Sequence, residues 1–159
     1  MAKAKPEGLT PVALFNKILV PVDFSAHSVR AVHYAAELSK TYTAPVTLLH
    51  AYQTLNYALP EGYVFYSPEQ LAELSRALDE QMAQTRAIAE RAGALDVDTK
   101  MLMGSAHAEI LRVAEEEKFD LIVMGTHGRT GLGHAFMGSV AERVVRQAPC
   151  PVLTVRSNA

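Results

Sequence analysis

Cysteine is all but missing from this 159-residue sequence. Cys150 stands alone, so no internal disulfide can form and no cysteine-based zinc pattern can be assembled. A lone thiol suits a reducing compartment, and a cytoplasmic location is expected. Long apolar runs are missing too. No stretch nears the roughly 18 apolar residues that read as a membrane span, and in "MAKAKPEGLTPVALFNK" the apolar group PVALF is too short for a signal-peptide core. Charge of one sign is also lacking: a formal net charge of -2 sets up no long-range field to attract nucleic acid. Neither nucleic acid nor a membrane is expected as a partner; an unidentified protein partner stays open.

What is present is an ordinary globular composition, 49% hydrophobic and 20% charged, in a chain of one-domain length. Residues 1–14 read as a loose tail and 15–157 as the domain. The segments "KILVPVDFS" (17–25), "PVTLLHAY" (45–52), "FDLIVMG" (119–125) and "CPVLTVR" (150–156) are near-continuous apolar runs, the pattern of strands buried on both faces. "DVDTKMLMG" (96–104) alternates instead, which indicates a wet face or an edge position. Helical patterns lie between them. Ser25 caps a helix over 26–42, with Val29, Val32, Ala36 and Leu38 near one face. Ser67, Pro68 and Gln70 resemble a capping box, with Leu71, Leu74, Leu78, Met82 and Thr85 following to about Arg91 and Gly93 as a stop. Ser105 caps a third helix with Ile110, Leu111 and Ala114 inward, and its acidic run reads as a solvated face. Residues 53–66 form one long irregular, tyrosine-rich connection suited to a lid or interface. Regular strand–helix alternation predicts an α/β fold: a single doubly wound domain with a five-stranded parallel sheet, order 3-2-1-4-5, and helices on both faces.

In that order the carboxyl ends of the first and fourth strands are neighbours at the reversal point, where open parallel sheets collect ligands. "MGTHGRTGLGHAFMGS" leaves the fourth strand there. Gly125, Gly128 and Gly138 allow a ligand to approach main chain, and Ser139 sits at a helix start, whose unpaired N–H groups suit phosphate. The loop is not a Walker A sequence, since His134 and Ala135 stand where Lys and Ser/Thr belong. Nor is it a dinucleotide fingerprint, since Phe136 replaces the last glycine. The histidines form no convincing zinc set. Cys150 reads as a small buried residue.

The spacing Gly125, Gly128, nine residues, Gly138, Ser139 matches G-x2-G-x9-G-[ST] and resembles the nucleotide signature of universal stress proteins in their ATP-binding branch. "ILVPVDFS", "DLIVMGTHGRTGL" and "APCPVLTVR" extend the likeness over residues 16–156. The resemblance implies that Pro21, Val22 and Asp23 border adenine and ribose, and that His50 and Ala51 recognise the adenine edge through main-chain atoms. Met124 and Gly125 would border the ribose, and His127 and Gly128 the phosphates, with Arg129 supplying fixed charge. Gly138, Ser139, Val140 and Ala141 would hold the terminal phosphates. It also implies ATP as ligand, with Mg²⁺ or Mn²⁺ held through its phosphates, and a homodimer through residues 151–156. The expected role is an ATP-binding stress-response regulator with no catalytic residue assigned. The alternatives are a slow ATPase, an autophosphorylating enzyme, or a nucleotide-free dimeric adaptor.

Overall fold

The computed structural model describes residues 14–53, 57–59, 62–64, 66–127 and 137–156. Most of the expected tail, and the segment 128–136 that carries Gly128 and Arg129, lie outside the described residues. Strand β1 (Ile18–Pro21) is followed by α1 (Ala26–Tyr42), β2 (Val46–Tyr52), the short strands β3 (Tyr57–Leu59) and β4 (Gly62–Val64), then α2 (Pro68–Arg91). The second half runs β5 (Val97–Met103), α3 (Ala106–Glu116), β6 (Leu121–Gly125), α4 (Ser139–Gln147) and β7 (Val152–Val155).

The main sheet has five strands in the order β5-β2-β1-β6-β7, and every pairing in it is parallel. With the small β3–β4 pair set aside, this is the expected 3-2-1-4-5. β1 lies at the centre, pairing Ile18 with Val46 on one side and with Leu121 on the other. All four of its residues are buried, as an apolar strand covered on both faces requires. Side chains alternate between the faces along a strand. Ile18 and Val20 therefore join Ala31, Val32 and Ala35 of α1 and Met82 and Ala89 of α2 in one core. Leu19 points the other way and packs with Leu49, Ile122, Val113 of α3 and Val144 of α4. β5 is an edge strand, as its alternating pattern predicts.

Local signals place the helix starts. Ser25 accepts from the Ser28 amide at 3.3 Å, and Ser67 and Gln70 complete a reciprocal capping box with Pro68 at the first position. α1 ends on Thr43 in the left-handed region, φ 56°.

Four expectations are corrected. The connection over 53–66 is not wholly irregular, because Tyr57–Leu59 and Gly62–Val64 pair antiparallel; β-prone Tyr and Val on both sides of Pro60-Glu61 favour a hairpin. On α3 the buried positions are Ile110, Val113 and Ala114; Leu111 is only half-buried, since i, i+3, i+4 spacing and not adjacency defines a helix face. On α1 the fully buried small residues Ala31 and Ala35 bring the helix close to the sheet, while Val29 and Leu38 sit at the margin. Leu71 and Leu74 of α2 are exposed, and the buried positions of that 24-residue helix begin only at Leu78.

Candidate functional site

Beyond the carboxyl ends of β1, β2 and β6 lies a cavity of about 160 Å³, comparable with one that takes up a single aromatic ring. Of the residues named from the sequence, Pro21, Val22 and Asp23 line it from β1, Ala51 from β2, and Met124, Gly125 and His127 from β6. Gly138, Ser139, Val140 and Ala141 line it from the start of α4. His50 does not, because alternation along β2 turns its side chain to the opposite face while Leu49 and Ala51 face the cavity. Gly128 and Arg129 lie outside the described residues.

Five lining residues were not anticipated: Ser28, Leu49, Ala106, Ile110 and Thr126. Leu49 was legible from its alternation with Ala51. Thr126 was legible from its place between Gly125 and His127. Ser28, Ala106 and Ile110 come from helices that start where expected, although Ser105 makes no side-chain cap bond at the start of α3, and their approach to the strand ends depends on tertiary packing. Together the set gives an apolar wall, Pro21, Val22, Leu49, Ile110 and Met124, and polar groups that include those at the start of α4.

The polar groups of α4 belong to its first turn. Gly138 is its cap residue, with φ -61° and ψ 149°, and carries no side chain to close the helix end. Its own amide is spent, donating to the Thr126 carbonyl at 2.7 Å, while its carbonyl accepts the first helical bond from Glu142. Among the described residues the next three amides, of Ser139, Val140 and Ala141, have no acceptor. Such orphan donors add to a helix dipole that favours an anion at this point. The expectation for Gly138 is thus corrected. Its N–H ties the start of α4 to the end of β6, and among the described residues three amides rather than four lack an acceptor.

Gly125 also does something other than expected. A Cβ there would lie 3.1 Å from the backbone carbon and oxygen of His27, so the missing side chain lets the first turn of α1 close against the end of β6. The rings of His27 and His127 come to 5.6 Å between centroids. Among the described residues His27 Nδ1 and His127 Nε2 are buried without a hydrogen-bond partner, and Thr126 Oγ1 meets the other His127 nitrogen at 2.9 Å. Asp23 both lines the cavity and organises α1: its Oδ1 accepts from the amide and the hydroxyl of Ser25.

Among the described residues no group of three or more His, Cys, Asp or Glu could hold a metal ion. A divalent cation in this cleft would depend on ligand oxygens and water. No described helix is long and apolar enough to cross a membrane. Cys150 is half-buried, and burial together with the nearby Asp120 charge pushes its thiol above the usual range, which disfavours the reactive thiolate.

Comparison with known proteins agrees with this architecture. The profile of the universal stress protein family matches residues 14–156. A universal stress protein of Methanocaldococcus jannaschii is 39% identical over 146 residues, spanning 90% of this chain and 83% of that protein. A solved structure described as a structure-based assignment of the biochemical function of a hypothetical protein superposes with a TM-score of 0.78 at 30% identity, covering 92% of this chain and 99% of the other. A universal stress protein from Archaeoglobus fulgidus, solved in complex with dAMP, shares the fold with a TM-score of 0.63 at 24% identity, over 89% of this chain and 98% of that one.

Proposed function

The chain belongs to the universal stress protein family, and on that premise we propose that it binds adenine nucleotides, ATP foremost, and acts as a stress-response regulator. The observation that carries this reading is the start of α4, where three amides have no acceptor among the described residues, beside an apolar cavity at the strand ends. The cavity is large enough to enclose one flat ring, and Val22, Leu49, Ile110 and Met124 suit an adenine face. Asp23, at the β1 end of the same cavity, is the acceptor for ribose hydroxyls. The phosphates then run toward Ser139, Val140 and Ala141, where dipole and amides favour negative charge. Mg²⁺ or Mn²⁺ enters only through phosphate oxygens. That a protein of this fold was solved with dAMP shows that the fold admits an adenine nucleotide; the preference for ATP rests on the α4 amides of this chain.

The cleft reads as a binding site more than a phosphotransfer centre, since Oδ1 of Asp23 already accepts twice from Ser25. The same proposal includes a homodimer through residues 151–156. β7 has β6 as its one neighbour in the sheet, and Leu153 on it is 37% exposed, the kind of apolar edge that pairs with another chain. A cytoplasmic location completes it, supported by the single cysteine.

Calorimetric titration with adenosine, AMP, ADP and ATP tests the reading. Affinity should rise with phosphate number, and equal affinity for adenosine and ATP would remove α4 from the site.

A further inference from the structure

Val22 is the first residue beyond β1, and β2 holds it twice. Its amide donates to the Leu49 carbonyl at 2.8 Å, continuing the ladder. Its carbonyl meets Nδ1 of the His50 ring at 2.8 Å. A carbonyl can only accept, so Nδ1 is the nitrogen that carries the proton. The ring stands in for a ladder bond that the strand no longer supplies, at a site where His50 is 7% exposed and an unpaired carbonyl is unfavourable.

Two residues on, Phe24 has φ 63°, a left-handed conformation that a bulky residue keeps only when its surroundings impose it. His50 is again the neighbour: the two ring centroids are 4.3 Å apart, tilted by 36°. Tyr52 stacks on His50 in turn, at 6.5 Å and 9°. Between the two clamped points stands Asp23, which lines the cavity.

We propose that His50 is a positioning residue for nucleoside recognition: from the far face of the sheet its ring fixes Val22 and Phe24, and so sets how Asp23 is presented to the ligand. This rests on the reading of the cleft as an adenine-nucleotide site, and it gives the His50 side chain a part that needs no contact with the nucleotide. The α4 amides discriminate by phosphate number. The His50 clamp acts on the part that adenosine, AMP and ATP share.

Two variants separate the donor from the ring. His50→Phe keeps an aromatic face for Phe24 and Tyr52 but offers nothing to the Val22 carbonyl; His50→Asn keeps an N–H near the Nδ1 position and lacks the ring. Titration of each with adenosine, AMP and ATP should show His50→Phe weakening all three by the same factor, about tenfold, and His50→Asn recovering most of it. In nucleotide-free protein, hydrogen exchange at the Ser25 amide, which donates to Asp23, should quicken in His50→Phe and stay near wild type in His50→Asn. A loss confined to ATP, or Ser25 exchange unchanged in His50→Phe, overturns the proposal. If wild-type protein binds none of the three ligands, the nucleotide reading falls and this role with it; if it binds all three and His50→Phe binds them equally well, the role of His50 alone falls.

Discussion

The two ends of the parallel sheet differ in how they treat polar groups. At the amino end, just before β6, the Asp120 carboxylate accepts from the Asn16 amide at 2.7 Å, the Asn16 side chain at 3.1 Å and the Lys17 amide at 3.0 Å. Lys17 reaches the Glu117 carbonyl at 3.0 Å and lies 4.2 Å over the Phe119 ring, while Glu117 also pairs with Lys100 at 3.0 Å. Donors and acceptors there answer one another and tie the ends of α3 and the loop before β1 together. At the carboxyl end three α4 amides and two imidazole nitrogens are left without partners among the described residues. Buried polar groups are normally satisfied, so the contrast locates stability at one end and capacity for a ligand at the other.

The strongest test of this division removes a pin at the satisfied end. Asp120→Ala abandons three hydrogen bonds to a charged acceptor and should lower unfolding free energy by about 2 kcal/mol, read by urea denaturation, while ATP affinity in the surviving folded protein stays unchanged. A comparable loss of affinity would show that the two ends are coupled.

Next in size, Ser139→Pro strikes the unsatisfied end alone. Proline is tolerated at the first position of a helix, and Gly138 already has the extended ψ of 149° that a following proline requires. The variant should fold with wild-type stability and lose about tenfold in ATP affinity, with adenosine binding unaffected. Ser139→Ala, which keeps the amide, should lose less; equal losses would assign the contact to the hydroxyl instead.

The smallest effect concerns pH. Burial opposes ionisation of Glu117, but hydrogen bonding and charge from Lys100, followed by Lys17, outweigh it and hold the carboxyl below the usual glutamate range. A folded value lower than the unfolded one means stability that is fully present above the unfolded value and lost as pH falls through the folded one. The side chain is 34% exposed, so solvent screens the pairs. Glu117→Gln should therefore cost only about 0.5–1 kcal/mol at neutral pH. That difference should shrink as pH drops below about 4.5, and a pH-independent difference would assign it to packing.

Much of this was legible without coordinates. The helix 26–42 and its Ser25 cap, the Ser67 capping box and the five core strands all follow from signals within a few residues of one another. The cleft was legible in outline: strand order and the glycine spacing point to the ends of β1 and β6 and the start of α4, and the family resemblance names most of the other residues that line it. His50 was placed on the right strand, but the use of its ring escaped because the face is fixed by register with Val22. Gly125 looked like a residue for a ligand; it does line the cleft, and its missing Cβ also makes room for His27, nearly a hundred positions earlier.

The sequence by itself determined the kind and order of elements, because apolar periodicity, caps and turn residues act over one or two turns of chain. Only the tertiary structure decided which donors and acceptors are already taken, because the Gly138 amide donates to Thr126 and the Val22 carbonyl accepts from His50, bonds that exist only once the strands are paired and the helices laid across them.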